Sequence, residues 1–83
     1  MVQCWLVERD YGSRNLITLV YATPDGERVN RKEVPITAIR NGALTVTAAK
    51  DVDETDLSAA DDPERYRQEV ERVRSDHDPD DEL

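Results

Sequence analysis

The sequence predicts an α+β fold: an antiparallel β-meander of three to five strands, open to curling, with one C-terminal α-helix packed on a sheet face. Three observations predict it. Residues 2–49 alternate short runs of strand-forming residues with turn signals. Residues 62–75 carry a helix start and an apolar stripe at helical spacing. The chain has 83 residues, which allows one small domain at most.

The first strand reads from Val2 to Val7 (V-Q-C-W-L-V) and stops at the polar Glu8, Arg9 and Asp10 and the turn-like Tyr11, Gly12 and Ser13. Residues 15–22 follow, apolar on both period-two phases: Leu16 and Val20 on one face, Ile17, Leu19 and Tyr21 on the other. A strand apolar on both faces belongs at the centre of a sheet covered on both sides. Thr23, Pro24, Asp25 and Gly26 form a reverse turn, with proline presetting one dihedral and glycine supplying a conformation that other residues resist. Residues 27–34 return with only Val29 and Val34 apolar, as expected of a charged edge strand that discourages indiscriminate pairing.

After Pro35, residues 36–40 fit either a strand or a helical turn. Asn41 and Gly42 are a favoured hairpin dipeptide. Residues 43–49 alternate, with Leu44, Val46 and Ala48 on one face and Thr45 and Thr47 on the other, and predict a half-buried strand. Residues 50–61 read as an acidic connector. Asp62 as N-cap, Pro63 at the first helical position and Glu64 beside it begin the helix, whose stripe is Tyr66, Val70 and Val73. Its polar face pairs Glu64 with Arg67, Arg67 with Glu71, Glu69 with Arg72 and Glu71 with Arg74. Residues 76–83, lacking any means of burial, are expected to be a disordered acidic tail. The domain therefore spans residues 1–75. One helix cannot cover both sheet faces, so the second face calls for curling toward a small barrel or for a homodimer.

Charge is uneven along the chain. Residues 1–50 carry seven basic and five acidic side chains, residues 51–83 four and fourteen, within a net charge of −8. The acidic part is expected to fold back on the slightly basic sheet at low salt and mask it, an effect that fades near 1 M salt, where the Debye length is about 3 Å. Aspartate (11) exceeds glutamate (8), and arginine (9) far exceeds lysine (2). With few large aromatics, this composition resembles the proteins of haloarchaea, and the resemblance implies a cytoplasm of molar salt.

No apolar run approaches the roughly 18 residues of a membrane span, and the N-terminus lacks a signal peptide's basic and apolar regions. One cysteine allows no internal disulfide. The expectation is a cytoplasmic protein without a membrane partner.

No motif specifies a reaction. Residues 51–56 superficially suggest calcium ligands, but Asp56 and Asp62 stand where an EF-hand loop needs glycine and glutamate. The segment Asp76, His77 and Asp78 has nothing to orient the single histidine. Cys4 alternates with Val2 and Leu6 as a small core residue. Ser13 and Ser58 have no histidine near them in sequence, and no glycine-rich phosphate loop exists. The expectation is no catalytic, cofactor or metal site, and no enzyme.

What remains is a basic patch of Arg28, Arg31, Lys32 and Arg40, with Arg9 and Arg14 nearby. The leading function is a non-enzymatic accessory or protein-interaction module in a high-salt cytoplasm, with strand addition at the edge strand as its mode. The alternative is a small nucleic-acid-binding β-domain with an acidic regulatory tail, using the patch together with Trp5, Tyr11 and Tyr21 as stacking surfaces.

Overall fold

The computed structural model describes residues 1–12 and 14–83, so Ser13 in the first turn lies outside the described residues. Its strands are β1 (Val2–Tyr11), β2 (Leu16–Ala22), β3 (Arg28–Pro35), β4 (Ala49–Val52) and β5 (Ser58–Ala59), and its helices α1 (Ile36–Arg40) and α2 (Pro63–Asp76). The sheet order is β4-β1-β2-β3-β5, every pairing is antiparallel, and the sheet does not close. This is the α+β architecture the sequence predicts, with the doubly apolar β2 at its centre.

The central strand lies between two cores. Val20 and Ala22 pack on one side with Trp5, Val29, Tyr66 and Val70. Ile17, Leu19 and Tyr21 pack on the other with Cys4, Leu6 and Val34. Helix α2 covers the first face through its Tyr66, Val70 and Val73 stripe, and Tyr66 and Val70 are buried. Burying one such side chain fully contributes roughly 1.5–3 kcal/mol. Asp62 caps the helix by accepting from the Arg65 N–H at 3.3 Å, and Arg65 reaches Glu8 of β1 at 2.7 Å. Arg67 pairs with Glu64 and Glu71, and Arg72 with Glu69. Arg74 lies 5.8 Å from the Trp5 ring centroid, a cation–π contact where a pair with Glu71 was expected.

The second face is covered within the chain. The sheet curls without closing, so that Lys32 of β3 and Lys50 of β4, three strands apart in the sheet order, line one cleft. Ile36 and Ile39 of α1, Leu44, Leu57 and Leu83 close over the concave side. Residues 36–40 thus form a helix. Asn41 and Gly42 end it rather than turning a hairpin; Asn41 is its C-cap, and Gly42 takes φ +79°.

Further sequence expectations are overturned. β1 does not stop at Val7 but runs through Glu8, Arg9 and Asp10 to Tyr11, paired with β2 past a bulge between Leu6 and Glu8. Residues 43–48 are not a strand, although Val46 and Ala48 are buried as the alternation suggested. The reason is that their backbone partners are scattered: Leu6 N–H donates to Ala48 O and Leu44 N–H to Ala38 O, while two bonds reach the chain's far end. In those, Leu83 N–H donates to Val46 O at 2.9 Å and Ala48 N–H to Asp81 O at 2.8 Å. For the same reason residues 76–83 are not a free tail. They turn back from α2 and dock, with Leu83 packed against both cores. The connector at 50–61 is structured too, because β4 pairs with β1 and β5 with the start of β3.

Candidate functional site

Directly paired residues of neighbouring strands share a sheet face, so the register sorts the strand charges. Lys50 lies opposite Cys4, and Lys32 opposite Leu19, on the concave side. Arg28 keeps step with Lys32 along β3. A bulge between Leu6 and Glu8 resets β1, which sets Arg9 opposite Leu19 on the same side and Glu8 opposite Val20 on the other. The concave face therefore receives Arg9, Arg28, Lys32 and Lys50 from the strands and no carboxylate. The convex face, under α2, receives Glu8, Asp10, Glu33 and Asp51 with Arg31 as its strand cation.

The curl leaves a seam between the outer edges of β3 and β4. β5 pairs with β3 only at Arg28 and Val29, so the edge of β3 facing away from β2 has no strand partner from Asn30 onward among the described residues. The chain's two lysines, Lys32 and Lys50, stand across this seam. On one side lies a cleft of about 140 Å³ bordered by Tyr21, Thr45 and Thr47. On the other lies a concavity of about 370 Å³ bordered by Asn30, Asp51, Asp53 and Asp56. Lys50 Nζ sits 4.3 Å from the Tyr21 ring centroid. Burial, and then the charge of Lys32, push the Lys50 ammonium below its ordinary pKa, so an anion arriving between the lysines relieves an existing repulsion. Asn30 donates its amide N–H to Asp56 O at 3.1 Å, and its Oδ1 is buried without a partner among the described residues.

Burial raises the Cys4 thiol pKa despite Lys50 and Arg28 nearby, which keeps it protonated and suits a core residue. Burial likewise raises that of the Tyr21 phenol.

A second cleft, of about 280 Å³, opens between α1 and the sheet at the opposite side of the 44–47 segment. Its walls are Ile17, Ile36, Ile39, Val46 and Leu83. Arg9, Arg40 and Tyr11 stand around it.

The sequence-derived patch does not hold together as one surface. Lys32 lies at the seam and Arg28 on the same face. Arg40 is on α1 at the second cleft. Arg31 points to the convex side, where it donates to the Tyr66 hydroxyl at 3.3 Å and faces Asp61 at 3.8 Å. Alternation along β3 makes that separation unavoidable. Helix α2, whose four acids and four arginines balance, occupies the convex face, while the folded-back residues 78–83 dock along the 46–49 segment with Leu83 reaching the concave side. Sequence reasoning missed Lys50, which it placed in the connector; the one available signal was the scarcity of lysine in an arginine-rich chain. His77 is the C-cap residue of α2, with Nδ1 3.7 Å from Asp81.

These features define a small α+β domain whose open, curled sheet is basic on its concave face and acidic on its convex face. The chain belongs to a family of unknown function (DUF7967), which it matches over residues 1–83. No curated protein and no solved structure matches it. Among the described residues, no helix is long and apolar enough to cross a membrane.

Proposed function

We propose that the protein is a non-enzymatic interaction module that accepts an extended acidic segment of a partner protein along the seam between β3 and β4, in a salt-rich cytoplasm. The observation that carries this reading is the unpaired edge of β3 with Lys32 beside it and Lys50 across the gap. An edge strand offers a row of backbone donors and acceptors, and strand addition uses them for affinity while side-chain pockets give selectivity. A segment with carboxylates at alternate positions places them at the lysines. The carboxylates of Asp51, Asp53 and Asp56 confine the favourable field to the Tyr21 side of the seam.

Nucleic-acid binding has the concave cations in its favour but only one exposed stacking surface among the described residues. Trp5, Tyr21 and Tyr66 are buried, and Tyr11 is the exposed aromatic, at 67%.

Titration of the labelled chain with a nonapeptide alternating threonine and glutamate tests the proposal. Slowed amide exchange along residues 30–34 and 50–52, with affinity falling at least tenfold in the Lys32→Glu, Lys50→Glu double variant, is the expected result. Unchanged exchange at both edges, or tighter binding of a deoxythymidine nonamer than of the peptide, overturns it.

A further inference from the structure

The cleft between α1 and the sheet is separate from the seam, and its chemistry differs. Its floor is apolar: Ile17 and Val46 are 2% and 5% exposed, and Ile36 and Ile39 wall it from α1. At its rim stand two guanidinium groups, Arg9 and Arg40, and no carboxylate side chain borders it. Five of the other seven arginines are engaged: Arg31, Arg65, Arg67 and Arg72 pair with acids, and Arg74 lies over Trp5, whereas Arg14 and Arg28 form no ion pair among the described residues. Arg9 and Arg40 form no ion pair among the described residues.

We propose that this cleft binds a small apolar carboxylate, its hydrocarbon body against the isoleucines and its carboxylate between Arg9 and Arg40. The volume of about 280 Å³ corresponds to about nine waters at roughly 30 Å³ each, which sets the body near eight or nine non-hydrogen atoms. Guanidinium groups match carboxylates in geometry as well as charge, so two of them at the rim select an anion over a neutral or cationic head. The apolar floor selects against short hydrophilic acids. Small-ligand sites of this kind are mostly apolar, with a few polar groups fixing orientation.

Methyl-resolved NMR titration of the full chain with octanoate, 1-octanol, octylamine and acetate tests this. Octanoate is expected to shift the methyls of Ile17, Ile36, Ile39 and Val46. It should bind at least tenfold more tightly than octylamine or acetate and measurably more tightly than octanol. The Arg9→Gln, Arg40→Gln double variant, altered only at exposed side chains, should melt as the parent does and lose the octanoate preference. Ile39→Phe should block the cleft while leaving both arginines. Equal binding of octanoate and octylamine, retention of the preference in the double variant, or shifts centred on Trp5 and α2 instead overturns the assignment. Val46 also borders the cleft at the seam, but Arg9, Ile17, Ile36, Ile39 and Arg40 do not, so their response stands independently of peptide binding there.

Discussion

Gly26 does two jobs, and the sequence discloses one of them. Its φ of +74° closes the turn after Pro24, as the motif indicates. A Cβ there would also lie 2.2 Å from Pro63 O and 2.5 Å from Arg67 N, so the turn abuts the first turns of α2 through backbone. Gly42 has a similar φ of +79° but open space around it. Gly42→Ala should therefore cost about 1 kcal/mol, the conformational part alone. Gly26→Ala should cost about 3 kcal/mol or more, because α2 must also shift. Urea unfolding followed by Trp5 fluorescence reads both, since Trp5 lies under α2. The neighbouring Thr23 is buried, and its hydroxyl donates to Asp25 at 2.5 Å; that bond, with the Glu27 N–H, holds the Asp25 carboxyl below its ordinary pKa. A lowered folded-state value means the contribution is present above the unfolded pKa and is lost as pH falls through the folded one. Thr23→Val should cost about 1–2 kcal/mol at neutral pH. It should also flatten the acid limb of a stability–pH curve below pH ~4, where Asp25 titrates in the unfolded chain.

Elements were legible in proportion to how local their causes are. β1, β2, β3 and α2 follow from alternation, turn chemistry and a capped stripe, all contained within a few residues. Residues 43–48 and 76–83 were misread together, because each is the other's partner across more than 30 positions and neither has a strong pattern alone. Val46 and Ala48 alternate in burial outside a strand because the returning chain supplies bonds to Val46 O and from Ala48 N–H, while β1 contributes a single one, from Leu6 N–H to Ala48 O. Leu83 is the one large apolar residue in that return, a thin signal at the end of an acidic run. Removing residues 78–83 should cost about 2–4 kcal/mol, from the burial of Leu83 and its accompanying backbone bonds. Hydrogen exchange gives the sharper check: the amides of Ala48 and Ala49, which donate to Asp81 and Pro79, should lose protection while those of β2 keep theirs. Unchanged protection at both would mean that the docked segment contributes nothing to holding β4.

At the scale of the molecule, the charge imbalance is a property of faces more than of sequence halves. Counting charges along the chain located the acid correctly but not its geometry, because the sorting depends on register, on the bulge after Leu6 and on the curl that brings Lys32 to Lys50. The seam was legible only as a charged edge strand; its other bank, β4, was hidden in an apparent connector. This layout makes two salt effects run in opposite directions. On the convex side, the strand carboxylates of Glu8, Asp10, Glu33 and Asp51 face one strand cation, Arg31, beneath a helix whose four acids are balanced by four arginines. Arg65 to Glu8 is a surface link of small net worth. Raising salt from 0.1 to 1 M shortens the Debye length from about 10 to about 3 Å and relieves that repulsion. Relief of about 1 kcal/mol raises the melting temperature of a domain this size by about 4–8 °C. The concave side is basic, so the same change should weaken the binding of an acidic peptide at Lys32 and Lys50. A melting temperature that rises with potassium chloride while peptide affinity falls is the expected pair of results from one titration series. If the melting temperature falls instead, attraction between acidic and basic parts dominates the fold, and the proposal of a salt-adapted molecule must be given up.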